Sequence, residues 1–154
     1  MIRTLFIVLV LALLILFFIR DKVERDPLQK DFLTGTADPL PDGFYKGTSP
    51  SFSVGNWLGK EFKAEEKTGF NVFTRGGSRN LEYPFTMHVT KGARDEALSV
   101  IKIDYNRPEN PWYLRFFAYD EIVRLSDGRY LGKIQIEVIR GVPFTIGWFW
   151  QEKE

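Results

Sequence analysis

Between Arg3 and Arg20 the chain runs Thr4-Leu5-Phe6-Ile7-Val8-Leu9-Val10-Leu11-Ala12-Leu13-Leu14-Ile15-Leu16-Phe17-Phe18-Ile19, with no charge, glycine or proline. A helix built from it is apolar on every side and has no face to turn toward water, whereas in lipid it satisfies its own backbone hydrogen bonds. At about 1.5 Å per residue the run reaches roughly 24 Å, short of the ~30 Å hydrocarbon core. Snorkelling of Arg3 and Arg20 and local thinning of the bilayer close the difference. A cleaved secretory signal would end in a small-x-small site, but this run ends in Phe17-Phe18-Ile19-Arg20-Asp21, so the expectation is an uncleaved anchor over residues 1–20 that partners the bilayer through 4–19.

Sidedness is read from the flanks. Arg20, Lys22 and Arg25 outnumber Arg3 and the α-amino group, and taken literally that count favours a cytoplasmic domain. Against it, N-terminal apolar segments usually direct export, and Asp21, Glu24 and Asp26 dilute the basic cluster. An extracytoplasmic domain on a single-pass anchor is the expectation.

Behind the anchor, Asp26 to Gly35 has the form of a short helix with Asp26 as N-cap, Pro27 at the first helical position, Gly35 as the stop and Leu28 and Phe32 on one face. Asp38-Pro39-Leu40-Pro41-Asp42-Gly43 is a stiff, turn-rich stretch, so residues 21–41 are expected to link the anchor to one domain over 42–154. That span suffices for a single core. Basic and acidic residues balance after the anchor, and no basic run supports nucleic-acid binding. With no cysteine there is no disulfide, thiolate nucleophile or sulfur-ligated metal.

The 42–154 region has the spacing of strands and turns. Strands are expected at 44–48, 57–64, 70–74, 98–105, 112–125, 130–139 and 142–150, with turns at Ser126-Asp127-Gly128-Arg129 and Arg140-Gly141. Tyr83, Phe85, Met87 and Val89 alternate with Pro84, Thr86, His88 and Thr90, the period of a half-buried strand. In the last two strands Tyr130, Ile134, Ile136 and Val138 are expected to face with Val142, Phe144, Ile146, Trp148 and Trp150. The fold class is therefore mainly β, an up-and-down antiparallel barrel or strongly curved sheet around an aromatic interior.

Gly55-Asn56-Trp57-Leu58-Gly59-Lys60-Glu61-Phe62 carries a Gly-x-Trp-x-Gly pattern, with Asp42-Gly43-Phe44-Tyr45-Lys46-Gly47 upstream and Asp120-Glu121 and Gly128-Arg129-Tyr130-Leu131-Gly132-Lys133 downstream. In these segments the chain resembles the GxWxG-containing family of uncharacterised bacterial proteins and, through them, the lipocalin-like (calycin-like) and fatty-acid-binding-like small barrels. The resemblance implies such a barrel and an expectation of ligand binding, and it implies no activity. The chain departs from the lipocalin layout in placing a strand before the motif. On the residues alone, Gly55 and Gly59 let backbone turn or approach closely, and Trp57 plugs one barrel end with its indole N–H on a carbonyl.

Few residues carry chemistry. His88 is the sole histidine, which removes multi-histidine metal sites, and it lies on the polar side of its strand. Asp104 and Asp120-Glu121 end or begin strands and could approach across the sheet. Arg115 and Lys133 sit mid-strand among apolar residues, and an inward charge there would need an acidic partner or an anionic ligand group. Lys60 is expected at the barrel mouth. The candidate ligand-binding set is Trp57, Lys60, Tyr105, Arg115, Glu121 and Lys133, with no catalytic residue, metal or cofactor assigned. The function expected is binding of a small hydrophobic or amphipathic, lipid-derived molecule. A side-chain-filled interaction module of the cell envelope is the alternative, and an enzyme the third reading.

Overall fold

A computed structural model describes residues 2–53 and 55–154; Met1, which the expected anchor range includes, lies outside them. The apolar run continues past its charged flank as one helix, α1 (Ile2–Glu24), long and apolar enough to cross a membrane. Its length, about 35 Å at 1.5 Å per residue, exceeds that expected from residues 4–19 alone, because Asp21, Lys22, Val23 and Glu24 form a further turn that rests on protein. Helix α2 (Leu28–Leu33) follows, opened by Asp26 Oδ1 accepting the Leu28 N–H at 2.9 Å.

Eight antiparallel strands then close in sequence order into a barrel: β1 (Gly43–Thr48), β2 (Trp57–Lys63), β3 (Thr68–Arg75), β4 (Ser78–Lys91), β5 (Ser99–Asp104), β6 (Ala118–Arg124), β7 (Tyr130–Ile139) and β8 (Val142–Lys153), the last pairing back onto β1. Closure removes the exposed edges that an open sheet would leave. Pro84, which cannot donate to a ladder, sits where the β3–β4 register shifts, and Tyr83 beside it has a φ of +50°.

One expected element is corrected. Residues 112–125 are not a single strand: Trp112–Phe117 form helix α3 and only Ala118–Arg124 continue as β6. Strand β5 ends at Asp104, paired with Tyr119, so an extended 112–117 would have no partner on its β5 side. Asn110 fixes the helix instead, its amide donating to the Pro84 and Tyr105 carbonyls, both at 2.7 Å.

Strand alternation divides the buried residues into two cores. Inside the barrel lie Tyr45, Phe62, Phe85, Met87, Ile101, Ile103, Ile122, Tyr130 and Phe149. Outside it, Val100, Val123, Leu131 and Trp148 form a second core with Phe32 of α2 and with Val23 and Leu28. The expected facing of the final strand is thus reversed, Trp148 pointing outward and Phe149 inward, since Trp148 stands opposite Lys133 in a register that shifts beyond Ile134.

The segment expected to be a linker is part of the domain. Phe32 is fully buried, Thr36 bridges Arg124 of β6, and Ala37 and Leu40 enter the inner core. Tyr130 donates its hydroxyl to the Pro39 carbonyl at 2.6 Å. Residues 36–40 thereby close the barrel at the end where β1 begins.

Candidate functional site

The opposite end is open. A cavity of about 360 Å³ descends into the barrel there, walled by Phe52, Trp57, Phe73, Tyr83, Tyr113, Leu114, Ala118, Ile134 and Phe149 and floored by Lys60, Asn71, Tyr105 and Asp120. Helix α3 borders the mouth through Tyr113 and Leu114. The β1–β2 loop packs across β8, where Ser51 Oγ accepts the Trp148 N–H at 2.8 Å and Phe52 lies against Gly147.

Period-2 alternation would put Trp57 and Lys60 on opposite faces. The register shift between Trp57 and Gly59 turns both inward. Gly59 makes the bulge feasible, having a φ of +141° and a position where a Cβ would run into the Tyr45 carbonyl.

At the floor Lys60 is only 2% exposed. Its ammonium donates to Asn71 Oδ1 at 2.8 Å and to the Tyr105 hydroxyl at 2.6 Å, and it pairs with Asp120 Oδ2 at 3.0 Å, so all three protons are engaged. Tyr105 in turn donates to Asp120 Oδ2 at 2.6 Å and accepts from Asn71 Nδ2 at 3.2 Å, while the Trp57 indole donates to Asn71 Oδ1 at 3.2 Å. The rings of Phe85, Tyr105 and Phe149 stand 5.3–5.4 Å from the ammonium, within range of cation–π attraction. Burial pushes the Lys60 pKa down and the Asp120 charge opposes it. Burial, seconded by the same carboxylate, holds Tyr105 well above an ordinary phenol. The floor is therefore polar but balanced in charge.

Of the residues proposed from sequence, Trp57, Lys60 and Tyr105 meet at this cavity, Lys60 at its floor rather than at its mouth. The other three lie elsewhere. Arg115 is on α3 rather than mid-strand, its guanidinium 5.5 Å from the Phe116 ring. Glu121 points outward beneath the β4–β5 loop, accepting from Ala93 N at 2.6 Å and Gln135 Nε2 at 3.1 Å, and burial raises its pKa. Lys133 also faces outward, fully buried, its ammonium 2.6 Å from Asp95 Oδ2 and 4.5 Å from the Phe32 ring. Asp104 does not join Asp120, since it lies opposite Tyr119 in the β5–β6 ladder while Ile103 lies opposite Asp120. His88 is exposed on β4.

Two floor residues escaped the candidate set. Asp120 takes the inward face, and Glu121 the outward one, because β6 starts at Ala118. Asn71 carries a signal in the sequence, an amide flanked by Phe70 on one side and Val72-Phe73 on the other.

Apolar walls around a few converging polar groups make a pocket suited to a small amphiphile, at the lower end of the ~300–1,000 Å³ typical of ligand sites. Among the described residues no group of three histidine, cysteine, aspartate or glutamate side chains is placed to hold a metal ion. Comparison of the chain with family models, curated proteins and solved structures finds no match in any of the three.

Proposed function

We propose that the protein is a membrane-tethered barrel that binds a single-chain lipid-like molecule, its polar group at the Lys60–Asn71–Tyr105–Asp120 floor and its chain among the aromatic walls. The observation that carries this reading is the one-ended cavity itself, apolar along its sides and polar only at its base. Because Lys60 and Asp120 already neutralise one another, an anionic head would bring an uncompensated charge into a dry site. An alcohol, ester, ketone or amide would not, so the ligand class is a neutral amphiphile. The volume suits one acyl chain better than two.

Tethering rests on α1. Its exposed apolar surface from Leu5 to Ile15 needs lipid, and the contacts of Phe17 and Val23 with β8 favour a retained anchor over a removed signal. The neutral soluble portion offers no basis for nucleic-acid binding, and an extracytoplasmic location is the sidedness we propose.

Titration of the purified full-length chain in nanodiscs with a fluorescent monoacylglycerol tests the reading. Saturable binding is expected, weaker by tenfold or more for the fatty acid of the same chain, and lost in Ala118→Phe, which fills the cavity. Equal signal from wild type and A118F would refute it.

A further inference from the structure

The anchor helix does not leave the barrel at an arbitrary point. Its last two turns lie along β8: the Phe17 and Phe144 rings meet edge to face at 5.0 Å, the Arg20 guanidinium stands 6.0 Å from the Phe144 ring, and Trp148 donates its indole N–H to the Val23 carbonyl at 3.1 Å. Arg94 grips Glu24 with two hydrogen bonds of 2.8 and 3.2 Å. Because Val23 meets Trp148 and Phe17 meets the earlier Phe144, α1 followed toward its N-terminus runs toward the start of β8, past the β7–β8 turn.

That turn and α3 occupy the same barrel end, since Ala118, directly after α3, is paired with Ile136, and Ile136 with Phe144. It is the open end. The side chains displayed there are unusual for a water-facing rim: Trp112 is 63% and Phe116 64% exposed, with Tyr113, Val138 and Ile139 also exposed. Arg115 and Arg140 accompany them. Tryptophan, tyrosine and arginine of this kind favour the headgroup layer.

From Arg3 to Arg20 the helix covers about 27 Å at 1.5 Å per residue, less than the ~30 Å core. Spanning therefore draws the Phe17–Arg20 level to the edge of the hydrocarbon. Phe144 stands at that level, and the turn before it reaches further toward the lipid.

We infer that the open end of the barrel faces the bilayer, with α3 and the β7–β8 turn seated in the headgroup layer, so that a single-chain lipid passes from the membrane into the cavity without crossing water. This inference rests on the ligand reading above and adds the route and the surface. A neutral head lying at the interface would enter first and reach the polar floor, with its chain following into the aromatic walls.

The chain contains no cysteine, so single thiols report position cleanly. The test places an environment-sensitive fluorophore at Phe116→Cys, Ile139→Cys or, at the closed end, Ser126→Cys in the full-length protein reconstituted in phosphatidylcholine vesicles. Doxyl-labelled phosphatidylcholine and aqueous iodide serve as quenchers. The expected result is several-fold stronger lipid quenching at 116 and 139 than at 126, with the reverse order for iodide. Lipid quenching at 116 and 139 no greater than at 126 overturns the inference, and shielding from both quenchers overturns it in favour of a second copy of the chain on that face. If the quenching fails while monoacylglycerol titration still saturates, the ligand reading stands and only the route falls.

Discussion

Lys60 and Lys133 are both lysines withdrawn from water, each held by an aspartate and surrounded by aromatic rings, one inside the barrel wall and the other outside it. Around Lys60 the packing stops short, leaving a cavity above a balanced polar cluster. Around Lys133 it is complete: α2 lies over the ammonium, and Asp95 also accepts from Gln29 at 2.9 Å. A buried charge by itself thus distinguishes nothing. Beyond the side of the wall each occupies, what sets Lys60 apart is the empty, apolar-walled volume beside its charge, which Lys133 lacks.

The largest effect expected within this comparison is from Asp120→Ala. It strands the Lys60 ammonium in a dry interior and should lower unfolding free energy by about 3–5 kcal/mol, read from urea denaturation. The double variant K60M/D120L should recover most of that loss yet fail to bind monoacylglycerol, separating stability from ligand recognition. Tyr105→Phe should cost about 1.5–3 kcal/mol, because it removes an acceptor from Lys60 and a donor to Asp120, and it should weaken ligand binding in parallel. Lys133→Met keeps the apolar stem, and Asp95 retains Gln29 and partial access to water. About 1–2 kcal/mol is expected there, with ligand affinity unchanged. A K133M protein that lost ligand while remaining folded would erase the distinction between the two sites.

The smallest expected effect is on pH dependence. The folded-state pKa of Lys60 lies below the ordinary lysine value of 10.5. Between those two values the unfolded chain binds the proton more tightly, so stability attributable to this group rises with pH across that window. Wild type should therefore gain stability relative to K60M as pH is raised toward 10.5, measured by urea unfolding at successive pH values. A gap that widens against wild type would contradict the burial argument.

Much of this architecture is legible in the residues. The apolar run declares a helix because nothing interrupts it, and the strands of the final third declare themselves through turns at Asp127-Gly128 and Arg140-Gly141. What was not legible depends on register. Trp112 to Phe117 contains no residue that forbids either extended or helical backbone, and the outcome was decided by β5 ending at Asp104. Whether Asp120 or Glu121 faces the lumen is a matter of one residue in the start of β6, and a bulge at Gly59 overrides simple alternation for Lys60. The candidate site was therefore half visible. Residue types were readable, but the face each one takes was set by partners far along the chain.

Native mass spectrometry of the full-length protein, released from the membranes in which it is naturally made, with wild type, A118F and K133M run side by side, shows whether the cavity holds a ligand. One reproducible bound mass, that of a neutral single-chain amphiphile, is expected on wild type and K133M and none on A118F. An empty wild-type barrel, or the same mass retained by A118F, would contradict it.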